Sequence, residues 1–270
     1  PPLAALAREL REELGITLQR AQPLVRVPWC YGARGLLLDA WLIEQWQGMP
    51  QSLEGQALQW RQPARIDPAI LAPADRPVLQ ALRLPTSYLI TPADVSPDRC
   101  HLWFERIAQA IERGEQLVQL RLPSWPQALV HELVADLLPL ARRYAAQLLL
   151  NGDIDGAREL GIGVQLQSAQ LLALSERPLP PQQIVGASCH DALQLAQAMG
   201  IGADFATLSP VAATASHPQA PPLGWPMFQS LAEAAALPVY ALGGMDTSHI
   251  PQARQHSGQG VAGIRGFWPA

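Results

Sequence analysis

Eight short apolar runs, separated by amphipathic segments, occupy residues 87–270 and constrain the fold more than any other feature of the sequence. Strands that alternate with helical segments form parallel sheets with crossover connections. The runs are Ser87–Thr91, Leu117–Arg121, Gln147–Leu150, Gly163–Leu166, Ile184–Ser188, Asp204–Leu208, Pro238–Leu242 and Gly260–Ile264. Eight such units in a stretch of this length predict a compact (β/α)8 barrel, and an open doubly wound sheet is the alternative.

A domain boundary is predicted near Leu84, because Pro85 disfavours continuation of the preceding helix and a new pattern begins at once. We therefore expect two domains, residues 1–84 and 85–270, in this chain of 270 residues. Hydrophobic residues make up 49% of the chain and charged residues 16%, as in a globular protein. A net charge of −4 argues against a general nucleic-acid or membrane-surface binder. Three widely spaced cysteines, with no zinc spacing, indicate a reduced cytoplasmic protein.

Polar residues and glycines follow the predicted strands, and in a barrel this end of the strands carries the chemistry. Gly243 and Gly244 follow the seventh run, where they would let backbone N–H groups approach a phosphate. A tight turn is the structural alternative for this glycine pair. Arg265 follows the eighth run and could supply a charged partner to the phosphate. Further candidates for substrate binding are Arg121, Asn151, Ser188, His190, Thr214, Ser216 and His217.

Several short motifs in residues 85–270 together form a pattern that is specific enough to indicate a family. They are Tyr88–Thr91, Val118–Arg121, Leu149–Asn151, Gly186–His190, Gly202–Asp204, Ser209–Val211, Ala220–Gly224 and Leu242–Gly244. In these motifs the region resembles thiamine phosphate synthase and its relative, the thiazole tautomerase. The resemblance implies a barrel that takes a phosphorylated small molecule.

The sequence departs from the synthase pattern at the positions that handle pyrophosphate. The pattern has two metal-binding aspartates where this chain has Gly152 and Gln170, and two lysines where it has Pro123 and Ala215. Without these groups a departing pyrophosphate has little to stabilise its charge, so we expect the barrel not to synthesise thiamine phosphate. A ligand-binding or regulatory module is the leading interpretation. An enzyme of thiamine or thiazole-phosphate metabolism (synthase or tautomerase), a non-catalytic phosphate-ligand module and a structural interaction surface remain alternatives.

Near the start of the chain, Glu9, Glu12 and Glu13 have the spacing that places three carboxylates on one helix face. Grouped oxygen ligands of this kind suit Mg²⁺ or Mn²⁺, and a solvated acidic face is the structural alternative. Arg8 precedes Glu12 by four residues and can hold its side chain. Gly15 is predicted to end the helix.

The segment Arg8–Ile16 resembles the second half of the Nudix box, the metal-binding and pyrophosphate-binding helix of Nudix hydrolases, and the sequence begins inside that motif. In MutT-type relatives a loop glutamate after a long strand, here Glu54 after Leu36–Trp46, is a fourth metal ligand. Asp75 lies where those relatives read the purine. The catalytic residues implied by the resemblance are Arg8, Glu9, Glu12, Glu13 and Glu54, with the four glutamates on the metal.

The sequence therefore predicts an α/β protein in which a partial Nudix domain, lacking its N-terminal strands, precedes a (β/α)8 TIM barrel. The expected activity is hydrolysis of nucleoside triphosphates with Mg²⁺ or Mn²⁺, as in 8-oxo-dGTP diphosphatases. The expected partner is a small-molecule nucleotide or phosphorylated ligand, with no nucleic acid and no membrane. A homodimer is the candidate assembly.

Overall fold

The computed structural model describes residues 2–32, 34–214 and 221–268, which form two compact units that divide between Arg83 and Leu84. The first unit consists of α1 (Pro2–Leu14), β1 (Thr17–Tyr31), β2 (Arg34–Gln47) and α2 (Arg76–Arg83). Strands β1 and β2 pair antiparallel. Gly15 ends α1 as predicted, with a φ of +67°, a left-handed conformation that glycine adopts without steric cost.

The first unit differs from the predicted Nudix domain. Among its described residues the sheet has only two strands, and short 3-10 turns connect β2 to α2. Leu24, Val25 and Val27 of β1 are buried, and Leu79 and Ala81 are the buried residues of α2. The unit is thus a hairpin with two helices, and its topology gives no support to a Nudix fold.

The second unit is a closed barrel of eight parallel strands. The strands are β3 (Ser87–Ile90), β4 (Leu117–Leu120), β5 (Gln147–Asn151), β6 (Gly163–Leu166), β7 (Val185–Cys189), β8 (Phe205–Leu208), β9 (Val239–Leu242) and β10 (Gly260–Gly263). Because β10 pairs with β3, the sheet has no free edge. This closure confirms the predicted barrel and excludes the open doubly wound sheet.

Helices follow the strands of the barrel in sequence and cover its outer face. They are α3 (Cys100–Glu112), α4 (Gln127–Arg143), α5 (Ile154–Leu160), α6 (Ser168–Ala173), α7 (Ala192–Gly200), α8 (Gly224–Glu233) and α9 (Ile250–Gln255). The main core lies between strands and helices and includes the fully buried Ile107, Val134 and Leu137. None of the helices described by the structure is both long and apolar enough to cross a membrane.

A second, smaller core fills the interior of the barrel with aromatic side chains. The rings of Tyr88 and Phe205 meet edge to face with centroids 5.2 Å apart, and those of Phe205 and Tyr240 do so at 5.4 Å. The Tyr240 hydroxyl donates a hydrogen bond to the Pro85 carbonyl, just before β3 begins. The aromatic layer therefore closes the amino end of the barrel interior, and open space remains at the carboxyl ends of the strands.

Candidate functional site

A cavity of about 400 Å³ lies where the carboxyl ends of the barrel strands meet. Residues from all eight barrel strands or the loops that follow them line this cavity together. Those that the sequence singled out are Arg121, Asn151, Ser188, His190, Thr214 and Gly243. Two further candidates, Ser216 and His217, lie outside the described residues. The structure thus brings six candidates to one cavity, and their roles in binding remain predictions.

A second cavity, of about 290 Å³, adjoins the first and shares Thr214 and Gly243 with it. Gly243, Gly244 and Arg265 line this cavity, which is the phosphate position predicted from the sequence. Gly243 has a φ of +103°, and an added Cβ would lie 3.0 Å from Pro210 Cα, so a glycine is required here. Backbone N–H groups can then approach an anion closely.

Arg265 places a guanidinium beside this second cavity. Its side chain is 70% exposed and its Nη2 atom lies 3.9 Å from Asp94 Oδ2, in a pair of two exposed groups. Such a pair contributes little stability. The guanidinium can therefore turn from Asp94 to an anionic ligand without breaking a strong contact.

A chain of hydrogen bonds at the base of the larger cavity determines which of its polar groups donate and which accept. The Tyr88 hydroxyl donates to Gln165 Oε1 at 3.0 Å, and Gln165 Nε2 donates to Ser188 Oγ at 3.0 Å. Burial, followed by the effect of Tyr240, raises the pKa of Tyr88 well above its ordinary value, so the phenol stays a donor. Because Ser188 Oγ accepts from Gln165, its own hydrogen is available to an acceptor on a ligand.

The His190 side chain is held by a contact to the next strand end. Its Nδ1 atom lies 2.8 Å from the Ser209 carbonyl oxygen. A carbonyl oxygen only accepts, so Nδ1 carries the hydrogen and Nε2 is the acceptor nitrogen. The ring is exposed at the cavity, where Nε2 can take a proton from a bound molecule. By contrast, burial raises the pKa of the neighbouring Cys189 thiol to about 12, which makes it unsuited to nucleophilic chemistry.

The resemblance to the synthase implies a Mg²⁺ site at the rim of the barrel. Over the ranges that the structure describes, no group of three or more His, Cys, Asp or Glu side chains is placed to hold a metal ion. At Gly152, an added Cβ would lie 3.0 Å from both Gln167 Nε2 and Gln170 Oε1. Two neutral amides therefore fill the space that an acidic side chain at this position would need.

The carboxylate next to Gly152 in the chain belongs to Asp153, and its oxygens already accept hydrogen bonds. His131 Nε2 lies 2.6 Å from its Oδ2 atom, Gln127 Nε2 donates to the same atom at 2.8 Å, and the Gly156 N–H donates to Oδ1 at 3.0 Å. Burial opposes ionisation, but these hydrogen bonds outweigh it and lower the pKa of Asp153. Asp153 thus caps α5, and the residues present do not fit a Mg²⁺ ion at this rim.

The carboxylates of the first unit do not assemble into the predicted metal cluster. The Arg8 guanidinium hydrogen-bonds Glu9 and lies 3.7 Å from Glu12, with all three side chains well exposed. Glu13 is half-buried on α1, whereas Glu54 is exposed in the irregular segment after β2. Asp75 is also exposed, in a short 3-10 turn. The acidic face of α1 is therefore a solvated face that is partly neutralised by Arg8.

Two buried polar residues that line the larger cavity were missed in the sequence. Gln119 is 3% exposed in β4 and Thr207 is 2% exposed in β8. Both lie inside apolar strands rather than after them, so a search of strand ends passes over them. A polar residue within an otherwise apolar barrel strand was the signal that could have identified them, because a buried polar group needs a partner.

Comparisons with known proteins agree on the second unit. The family model described as thiamine monophosphate synthase matches residues 87–267. A protein of Aquifex aeolicus named "Putative thiamine-phosphate synthase 2" is 32% identical over 187 residues, which are 69% of this chain and 99% of that protein. A "Thiamine-phosphate synthase" of Synechococcus is 30% identical over 167 residues, 61% of this chain and 47% of that protein.

The solved structures show the same fold. A thiamine phosphate pyrophosphorylase from Pyrococcus furiosus has a TM-score of 0.54 and 24% sequence identity, covering 66% of this chain and 85% of that one. At this identity the similarity concerns the fold alone. These findings contradict the predicted main function: the matched proteins are synthases, so the expectation of a Nudix hydrolase acting on nucleoside triphosphates is wrong.

Proposed function

The chain belongs to the thiamine monophosphate synthase family, and on that premise we propose that its barrel is an enzyme acting on a phosphorylated heterocycle of thiamine or thiazole-phosphate metabolism. The step that its residues supply is a proton transfer through His190. The observation that carries this proposal is the hydrogen bond from His190 Nδ1 to the Ser209 carbonyl, which leaves Nε2 as a base in the cavity.

The remaining groups of the site would hold the ligand for this step. The Gly243-Gly244 backbone and Arg265 receive the phosphate in the smaller cavity. The ring lies in the larger cavity, where the Ser188 hydroxyl donates to a ring acceptor. Arg121 supplies positive charge at the wall of that cavity. Binding the phosphate at a distance from the ring orients the reacting atoms toward His190.

The proposed reaction is an isomerisation that needs no co-reactant. His190 Nε2 takes a proton from a carbon atom of the heterocycle, and the electron pair of that C–H bond shifts within the ring system. The imidazolium then returns the proton to another atom of the same molecule, so atoms and charge balance. Proton transfer by a positioned histidine accelerates such steps by about 10²–10⁴-fold.

Condensation of a pyrimidine pyrophosphate with a thiazole phosphate is a second candidate, favoured by the names of the relatives. That reaction releases pyrophosphate, whose charge has to be stabilised. Here Pro123, Gly152 and Gln170 occupy positions at which the synthase pattern has a lysine and two acids. Because these residues lack the charges that stabilise pyrophosphate, the site favours proton transfer over condensation.

The test is to measure solvent deuterium incorporation into a thiazole phosphate by nuclear magnetic resonance, in the presence of EDTA. We expect His190→Gln to lower the exchange rate by about 10²–10⁴-fold. His101→Gln is the matched control, because His101 is an exposed histidine on α3, and it should leave the rate unchanged. Equal exchange in wild type and His190→Gln, or appreciable condensation of both synthase substrates with Mg²⁺, would overturn the proposal.

A further inference from the structure

One amide links the loop that follows β5 to the first turn of α6. Gln170 Nε2 donates to the Gly152 carbonyl at 2.7 Å, and Gln170 Oε1 accepts from the Gln167 backbone N–H at 3.2 Å. The side chain therefore uses a donor and an acceptor at once, which an ionised carboxylate cannot do. A glutamine at this position is chemically specific for the contact.

The surroundings of Gly152 show that side-chain amides fill the space between the loop after β5 and α6. Gly152 has a φ of +75°, and its missing side chain would point at the amides of Gln167 and Gln170. The Gly152 N–H donates to the Gln165 carbonyl at 2.9 Å, so the backbone on one side is also satisfied. The loop after β5 is thus joined to β6 and to α6 by neutral hydrogen bonds on the two sides of Gly152.

We propose that the Gln170 amide replaces a bridging divalent cation, so that the loop after β5 is held to α6, and the cavity receives its phosphorylated ligand, without a metal. Two acids facing each other, or an acid facing a carbonyl oxygen, repel unless a cation lies between them. An amide that donates to the carbonyl removes that requirement. The inference rests on the proposed function only in that the same cavity takes the ligand, and it does not require His190 to transfer a proton.

The proposal also narrows the class of ligand. The ionisable side chains among the described residues that line the larger cavity are Arg121 and His190. A bound pyrophosphate carries more negative charge than these two groups offset. The smaller cavity is also lined by Asp246, whose carboxylate already accepts hydrogen bonds from Ser248. A single phosphate can be held there by backbone N–H groups and Arg265. The site therefore selects a phosphate monoester over a pyrophosphate.

An isosteric substitution, Gln170→Glu, turns the proposal into a direct test. The glutamate keeps the acceptor for the Gln167 N–H but loses the donor to the Gly152 carbonyl. In EDTA we expect the thermal midpoint of the full chain to fall by roughly 3–8 °C. Added Mg²⁺ should restore the midpoint, because a cation can join the carboxylate and the carbonyl. Gln170→Met is the matched control: it lowers the midpoint, and Mg²⁺ does not restore it.

The wild-type protein gives a second measurement that does not depend on how the variants fold. Titration with inorganic phosphate in a calorimeter should give the same affinity in EDTA and in Mg²⁺, and inorganic pyrophosphate should bind more weakly than phosphate in both. A wild-type midpoint or phosphate affinity that rises clearly with Mg²⁺ would overturn the inference, as would a Gln170→Glu midpoint unchanged in EDTA. If the wild-type protein shows no proton transfer but its thermal midpoint is the same in EDTA and in Mg²⁺, only the proposed function is overturned.

Discussion

Two sides of the barrel rim differ in whether their polar groups are open to a ligand. The glycine side, formed by Gly243, Gly244 and Arg265 after β9 and β10, exposes backbone N–H groups and a loosely paired cation. The amide side consists of Gly152, Gln167 and Gln170 after β5 and β6, and its polar groups hydrogen-bond one another. The glycine side is open to an anion, whereas the amide side is already satisfied.

This difference shows why residue type at a strand end does not by itself define a binding group. Both sides lie at the carboxyl end of the same closed sheet, and both contain glycines with positive φ. At Gly243 the close approach of Pro210 leaves no room for a side chain, so the backbone itself faces the cavity. At Gly152 the equivalent space is filled by amides. What distinguishes them is whether the polar atoms have protein partners.

The largest effect is expected at the glycine side, from Gly243→Ala. The added methyl group meets the Pro210 backbone at 3.0 Å and imposes a left-handed φ on alanine. We expect phosphate affinity, measured by calorimetry, to fall by about 100-fold as the loop moves. Gly114→Ala is the control, because Gly114 has a φ of +106° and nothing within 4 Å of its added Cβ, and it lies before β4. An equal loss of affinity in both variants would contradict a local role for Gly243.

A smaller effect on the same side is expected from Arg265→Ala. Loss of the guanidinium should weaken phosphate binding by about 10-fold and reduce its dependence on ionic strength. Arg265→Lys keeps the charge without the planar fork, so its affinity should be intermediate. Arg113→Ala removes another exposed charge, at the end of α3 and away from the cavities, and should leave binding unchanged. Wild-type affinity in Arg265→Ala would show that the backbone alone binds the anion.

The smallest effect is expected beside the amide side, from Asp153→Asn. The asparagine can still cap α5, so the variant removes mainly the charge that meets His131. We expect a loss of about 1 kcal/mol in unfolding free energy at neutral pH, measured by chemical denaturation. Because the folded pKa of Asp153 is lowered from 3.8, this contribution is full above pH 3.8 and disappears as the pH falls through the folded pKa.

The control for this measurement is Asp155→Asn, which removes an exposed carboxylate from the same helix. Its effect should be smaller, since its partner Arg158 is also exposed. A difference between wild type and Asp153→Asn that stays constant into acid would show that the lowered pKa of Asp153 does not stabilise the fold.

The barrel and the positions of its rim residues could be predicted from the sequence. Eight apolar runs in alternation with helices permit few topologies, and parallel strands put all their carboxyl ends on one side. Arg121, Ser188 and His190 could therefore be expected to meet although they are distant in the chain. Gln119 and Thr207 could not be found by that rule, because they lie inside strands.

The acidic helix shows where a local pattern was insufficient. Residues 8–16 matched a motif in sequence and formed the predicted helix with its glycine end. A metal site, however, needs ligands from several elements held at short distances, and Glu54 and α1 do not provide one within the described residues. A short segment can predict a helix and the charges on it, but it does not predict which ligands other elements place beside that helix.

The sequence by itself predicted a parallel α/β fold of eight strands, with a closed barrel preferred to an open sheet, and it placed polar residues after those strands. Only the tertiary structure decided which of those groups remain available to a ligand. Ser209 fixes the acceptor nitrogen of His190, and Gln170 satisfies the Gly152 carbonyl, across 19 and 18 residues of chain. Hydrogen bonds are directional and short-ranged, so they follow from the packed positions of loops rather than from residue type.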